Sequence, residues 1–302
     1  MNPVFPQFKP IELADRSTIS DILRHYHPQT SELTFTNLFI WRDYYQWEWS
    51  TLEGRLIFVG SEEDRGTFAL PPIGPSPRAD AVRTLLTYLE KDRGVAAPKL
   101  ERVDPRLVEE LAPADDLVVA QTREHFDYVY ESRNLIDLAG RKYHSKRNFI
   151  NRFRMEFEFT YEPIAPRHIN ACLDLSDRWC RARRCADDQS LMGEWGAVRE
   201  ALTNFHDLDL MGGAILIDGQ VEAFSLGEAL NDDTAVIHVE KADPDIRGLY
   251  SVINQQFCAH ALAGFRYVNR EQDLGDEGLR KAKESYFPDR LVEKYRVGLK
   301  RE

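Results

Sequence analysis

Apolar positions recur at helical spacing in residues 79–91, where Val82, Leu85, Leu86 and Leu89 line one face. Ile19, Ile22 and Leu23 do the same in residues 15–26, and Asp15 is placed to cap that helix. Ser31 and Glu32 are good capping chemistry for a next helix carrying Leu33, Leu38, Phe39, Ile40 and Trp41. Alternation and β-branched or aromatic content predict strands at 45–50, 55–60, 67–70, 99–103 and 126–131, with a short helix at 107–111. The proline-rich residues 71–77 read as a loop.

The second half repeats this grammar. Helices are predicted at 141–155, 167–184 and 193–205, with a strand at 156–163. Residues 211–218, 220–230 and 234–241 read as three antiparallel strands, joined by the favoured hairpin turn Asp218-Gly219 and by Asn231-Asp232-Asp233. A helix at 249–265, a strand at 267–272, a helix at 277–286 and a last strand at 291–299 complete the chain. The fold class is therefore α/β (α+β), in two halves of similar order. The boundary falls near residue 135, giving domains 1–135 and 136–302.

Composition narrows the classes. An apolar fraction of 43%, with 16 Phe, 12 Tyr and 5 Trp, is enough for sizeable cores. No stretch approaches the roughly 20 apolar residues that span a bilayer. The first residues lack a charged n-region followed by an apolar h-region, so the expectation is a cytoplasmic chain without a transmembrane segment. A formal charge of −11 argues against a general nucleic-acid coat but leaves room for a local basic site. The four cysteines, Cys172, Cys180, Cys185 and Cys258, form no CxxC pair, and the histidines complete no zinc pattern. Reduced structural thiols and no metal site are expected.

The most informative stretch is residues 235–254. An apolar strand ends in Glu240 and Lys241, a polar turn carries Arg247 and Gly248, and a helix begins at Leu249. The free N–H groups and dipole at such a helix start favour an anion, and Gly248 lets the backbone approach a phosphate closely. A carboxylate beside that turn suits a group-transfer enzyme with a phosphate-bearing donor. The bland reading is an ordinary β–turn–α unit.

Three further motifs carry a resemblance. Ser31-Glu32 with Phe35, Asn37, Leu38 and Trp41 makes an S-E-x-x-F-x-N-L-x-x-W pattern; Lys146-Arg147-Asn148 lies within LAGRKYHSKRNFINRF; NREQDLGDEGLRKAKESYFP ends at Pro288. Together they resemble the bacterial proteins similar to the C-terminal, cytoplasmic domain of phosphatidylglycerol lysyltransferases, over nearly the whole chain. The resemblance implies two tandem acetyltransferase-like (GNAT) folds, each a mixed, mostly antiparallel sheet flanked by helices. It also implies a relationship to the Fem aminoacyltransferases, and hence acyl or aminoacyl transfer to an amine or hydroxyl. Full phosphatidylglycerol lysyltransferases have a transmembrane portion, and none is seen here.

The resemblance gives the residues roles. In GNAT folds the turn holds the pyrophosphate of coenzyme A. Here the segment is Arg247, Gly248, Leu249, Tyr250 and Ser251, of which Gly248 and Arg247 match and Ser251 adds a hydroxyl. A turn this degenerate goes, in Fem-like relatives, with a tRNA-borne donor, so aminoacyl-tRNA is expected ahead of acyl-coenzyme A, with no tightly bound cofactor. Glu240 is the candidate base for the acceptor, unless it is an exposed strand end paired with Lys241 or Arg247. Tyr286 is the candidate proton donor to the leaving group, unless it only packs its helix. On the polar strand 269–273, Asn269 and Arg270 are candidates for a carboxylate or phosphate, and Glu271 and Asp273 for a substrate amine. Lys142, Lys146 and Arg147 belong to a run of six Lys or Arg in 14 residues, and Lys281 and Lys283 to a second run. Such patches suit tRNA phosphates or an anionic lipid surface, the latter making a membrane-peripheral protein. They also suit a plain solvated helix face. The rival from another class is a non-catalytic GNAT-fold module binding a small anionic ligand or a partner protein.

Overall fold

The computed structural model describes residues 2–300 apart from 64, 65 and 113. The chain forms two compact units, each built on its own mixed sheet. The first comprises Met1–Asp127, Gln272–Glu277 and Leu291–Glu302; the second comprises Tyr128–Glu271 and Gly278–Arg290. The sequence reading gave all of 136–302 to the second domain. The difference comes from Tyr295–Leu299, which pairs antiparallel with both Lys99–Val103 and Leu117–Gln121 inside the first sheet.

In the first unit the strand order is Lys9–Pro10, Glu48–Leu52, Arg55–Glu62, Gly66–Ala69, Lys99–Val103, Tyr295–Leu299, Leu117–Gln121. Among the described residues its strands pair antiparallel except Gly66–Ala69 with Lys99–Val103. That parallel step needs a crossover, and Ala79–Lys91 supplies it. Its stripe Val82, Leu85, Leu86 and Leu89 is fully buried against Ile57, Val59, Leu100 and Val103.

Neither expected cap makes its side-chain bond to the helix, because Asp15 and Ser31 bond elsewhere. Asp15 stands at the N-cap of Arg16–Tyr26 without a side-chain bond to it; its carboxylate accepts from Glu12 N, closing a capping box on the 3-10 turn Leu13–Asp15, and from the buried Trp49 Nε1, both at 3.0 Å. Ser31 and Glu32 precede the helix Phe35–Ile40, whose cap is Thr34. Ser31 N and Oγ both donate to Asp127, and Lys294 Nζ donates to Glu32 and Asp127, each at 2.7 Å. Ser31, Asp127 and Lys294 are fully buried, so the S-E motif anchors an internal ion network.

In the second unit the order is Arg290–Val292, Asp127–Glu131, Tyr267–Asn269, Thr234–Ala242, Gln220–Ala229, Met211–Ile217, Phe159–Pro163. Thr234–Ala242 and Tyr267–Asn269 run parallel, and Leu249–His260 is the helix between them. Asp218 and Gly219 both have positive φ, as their two-residue hairpin requires. The sequence reading missed the edge strand Leu117–Gln121 and the helix Ser132–Asp137, and it fused Arg290–Val292 with Tyr295–Leu299. Cys180 and Cys185 are joined as a disulfide, against the expectation of four reduced thiols. The left-handed Arg184 turns the chain back at the helix end and brings their Cα atoms to 5.2 Å.

Candidate functional site

A β-bulge decides what Glu240 faces. Along Thr234–Ala242, Val239 pairs with Leu226 but Ile237 pairs with Gly227, so His238 is the extra residue. The alternation flips there. Glu240 therefore shares a face with Ile237 and Ala235, and with Tyr130 on the strand beyond, through the Ala235–Val268 and Val268–Tyr130 pairs. The helix Leu249–His260 covers that face, close enough that a Cβ on Gly227 would stand 3.4 Å from Phe257 and 2.4 Å from Val236 O.

Glu240 is not an exposed strand end. Arg270 Nη2 donates to its Oε1 and Asn254 Nδ2 to its Oε2, both at 3.0 Å. A carboxylate only accepts, so the Asn254 amide nitrogen faces it and Asn254 Oδ1 faces away. Asn254 is fully buried, and its Oδ1 has no hydrogen-bond partner. Arg270 Nη1, on the other side of the same carboxylate, is also buried without one. One spare acceptor and one spare donor thus flank a single ion pair.

Two more groups close the cluster. The Tyr286 hydroxyl lies 3.3 Å from Ser251 Oγ, and the Arg270 guanidinium sits 4.8 Å from the Tyr286 ring centre. The Lys146 ammonium stands 3.9 Å from that same ring centre. Burial pushes the Tyr286 phenol up and keeps it protonated. Burial, with help from Arg270 and against Glu240, brings Lys146 down to about 8. Burial opposes the Arg270 charge, but Glu240 and the phenols Tyr130 and Tyr286 outweigh it, so its pKa is raised.

The structure brings together Glu240, Arg270, Tyr286, Ser251 and Lys146 from the sequence candidates, and leaves others elsewhere. Glu271 accepts from His238 Nδ1, and Glu228 holds His238 Nε2, each at 2.8 Å. Burial lowers the His238 pKa, but the two carboxylates prevail and raise it to about 9. Asn269 is fully buried, and its Oδ1 accepts from Glu271 N. Asp273 is an interior acid of the first unit, paired with Arg123 at 3.0 Å and accepting from Gly275 N. Arg147 donates to the carbonyls of Leu138 and Gly140, and Lys283 is buried against the Arg270 carbonyl. Lys142 is exposed, 5.4 Å from the Phe287 ring centre, and Lys281 is exposed on its helix.

The turn 247–251 is crowded by protein. A Cβ on Gly248 would stand 2.8 Å from Phe149 O, so the glycine admits the helix His144–Glu156. Leu249 N and Ser251 N are bonded to the carbonyls of Ile246 and Gly248. Leu249 is fully buried, Tyr250 OH accepts from Trp179 Nε1, and the exposed Arg247 lies over the Phe149 ring. A hollow of about 560 Å³ bordered by Glu131, Arg133, Ile136, Asp137, Phe265 and Arg266 includes none of the nominated residues. The two orphaned atoms belong to the polar cluster around Glu240, and that hollow does not include it.

Sequence reasoning missed Asn254, Tyr130, His238 and Glu228. Asn254 stood out little, because Ser251, Gln255 and Gln256 make the same helix polar elsewhere. The His238 clamp had no signal, because the bulge that exposes it to both carboxylates is a pairing event.

Comparison with known proteins follows the same lines. The family model described as phosphatidylglycerol lysyltransferase, C-terminal, matches residues 23–298. A conserved protein of unknown function from Bacteroides thetaiotaomicron VPI-5482 is similar in structure, with 35% identity and TM-score 0.90 over 99% of this chain and 100% of that one. The C-terminal domain of what is named a lysylphosphatidylglycerol synthetase of Agrobacterium fabrum has TM-score 0.66 and 17% identity, over 95% of this chain and 92% of its own. A tandem GNAT protein from the clavulanic acid biosynthesis pathway has TM-score 0.51 and 8% identity, over 97% and 98% of the two chains. The fold is thus the expected pair of GNAT-like domains. An uncharacterized protein of Mycoplasmoides gallisepticum is 24% identical over 177 residues, 57% of this chain and 55% of that protein. The match thus spans about half the length of that curated relative. Among the described residues, no helix is long and apolar enough to cross a membrane, and no group of metal-ligating side chains is found.

Proposed function

We propose, from the premise that the chain belongs to the phosphatidylglycerol lysyltransferase C-terminal family, that it transfers an aminoacyl group from charged tRNA to an amine or hydroxyl acceptor. The observation that carries this reading is the pair of orphaned atoms beside Glu240. Arg270 Nη1 suits the carbonyl oxygen of an acyl group. Asn254 Oδ1 suits an N–H beside that carbonyl. An aminoacyl ester offers both; a simple acetyl group leaves Asn254 unsatisfied, at a cost of about 1–3 kcal/mol. Charge build-up on the carbonyl oxygen during attack would strengthen its bond to Arg270.

In this reading Glu240 holds Arg270 and Asn254 in place. Tyr286 supplies a proton to the leaving oxygen, and Ser251 orients its hydroxyl. The donor's phosphates lie outward, toward Arg247 and the exposed Lys142 and Lys281. The setting is the cytoplasm, where charged tRNA is found. The acceptor in the family's own description is phosphatidylglycerol, which makes that lipid the first acceptor to try.

The test follows label from tRNA charged with mixed radiolabelled amino acids into a bacterial lipid and metabolite extract. Transfer by wild type, reduced at least tenfold in Asn254→Leu and Tyr286→Phe, supports the reading. Transfer from acetyl-coenzyme A alone, unaffected by Asn254→Leu, replaces the donor. No transfer from either donor leaves the non-catalytic module as the better account.

A further inference from the structure

We propose that Lys146 is the base that takes the acceptor's proton, an inference that rests on the transferase reading above. Glu240, the obvious carboxylate, is poorly placed for this work. Its two oxygens already accept from Arg270 and Asn254. Protonating it would leave the Arg270 charge buried without its counter-ion. Tyr286 is held protonated by burial and suits the acid role. A base must come from elsewhere on the same wall.

Lys146 differs from its neighbours on the helix His144–Glu156. Arg147 is spent on two backbone carbonyls, and Arg152 pairs with Glu156 at 3.0 Å. Lys146 is half-buried, with its amine over the Tyr286 ring. No carboxylate among the described residues forms an ion pair with it. The charged and titratable groups felt at its amine come from three elements: Arg270 after the strand Tyr267–Asn269, Glu240 on Thr234–Ala242, and Tyr286 after the helix Glu277–Glu284. Burial and Arg270 bring it to about 8. At pH 7.5 roughly a quarter of such an amine is neutral, against about one part in a thousand for an ordinary lysine.

The acceptor's lone pair attacks the acyl carbon while its N–H or O–H proton passes to the Lys146 amine. The new C–N or C–O bond forms, and the bond from the acyl carbon to the donor's ester oxygen breaks. That oxygen leaves with the electron pair and takes the Tyr286 proton. The Lys146 ammonium then faces the phenolate charge across the ring and returns its proton through solvent water. One proton has moved from acceptor to leaving group, and both side chains are restored.

The first measurement is competitive acetylation of the full chain by trace acetic anhydride from pH 6 to 11, read by mass spectrometry. Lys146 should titrate near 8, well below the roughly 10.4 of an ordinary exposed lysine; a midpoint at the ordinary value overturns the proposal. The second is the transfer assay above. Lys146→Met and Lys146→Arg should lose about 100-fold or more in kcat. Lys146→Cys should regain activity after alkylation with 2-bromoethylamine, with its acidic pH limb moved to lower pH. The native thiols do not interfere, because Cys172 and Cys258 are fully buried and the other two are paired. If wild type transfers and Lys146→Met does so equally with the same pH limb, this inference alone fails. If wild type transfers nothing, the transferase reading fails and takes the inference with it.

Discussion

Arg270 Nη2 lies 3.0 Å from Glu240 Oε1, with side-chain exposures of 13% and 14%. A pair this deep is expensive to break from one side only. Glu240→Gln should destabilise the protein by about 3–5 kcal/mol, because it leaves the guanidinium buried without its counter-charge. Arg270→Met combined with Glu240→Leu should recover most of that loss. Urea unfolding of Glu240→Gln and of the double variant, beside wild type, measures this. A neutral Glu240→Gln would mean that another group compensates the Arg270 charge.

His238 makes stability depend on alkaline pH. Burial works against its charge, while Glu228 and Glu271 raise its folded pKa to about 9. The unfolded value is about 6.5. The folded value is the higher one, so the stabilisation is fully present below pH 6.5 or so and lost as pH rises through about 9. The full effect is on the order of 3 kcal/mol. Wild type should exceed His238→Gln by that order at pH 6, and the gap should narrow by pH 10. A constant gap would show that the imidazole does not change its charge in this range.

Gly248 invites a misleading experiment. Its φ is +92°, and a Cβ would meet Phe149 O at 2.8 Å. Gly248→Ala should therefore destabilise by at least about 1–2 kcal/mol whatever binds at the turn. Lost binding in a Gly248 variant says nothing about a donor. Ser251→Ala is cleaner, since it removes only the hydroxyl that meets Tyr286. It should change thermal stability little and slow transfer. Equal losses of stability in the two variants, seen by calorimetry, would contradict this account.

These cases show what a linear pattern contains. Ala79–Lys91 matches its sequence expectation because one stripe of leucines and valine meets one sheet face. The hairpin at Asp218-Gly219 is legible for a similar reason: its turn chemistry is local. Glu240, Arg270 and Tyr286 were nominated individually because polar residues in apolar surroundings stand out. Their grouping was hidden, because it depends on the bulge at His238 that sets which face Glu240 joins. Ser31 and Glu32 were misread as a cap because their partners, Asp127 and Lys294, lie 96 and 262 residues away. A helix-start pattern and a buried carboxylate look alike until the distant lysine is in place.

The thiols give a prediction that separates the structure from the sequence reading. Cys180 and Cys185 are joined, with Cα atoms 5.2 Å apart, inside the range disulfides adopt. Cys172 and Cys258 are fully buried, and burial pushes each up to about 12, so neither is a nucleophile in the folded protein. Iodoacetamide at neutral pH should therefore label neither thiol quickly in the native state. Unfolding without reductant should expose two reactive thiols, and unfolding with reductant four, counted by intact mass. Four labelled sites without reductant would restore the reduced chain that the sequence suggested. Trp179 precedes Cys180 and donates through Nε1 to Tyr250 OH at 2.9 Å. Cutting the disulfide should thus loosen the helix end and shift tryptophan emission, while Arg270 and Glu240, held from other elements, keep their pairing.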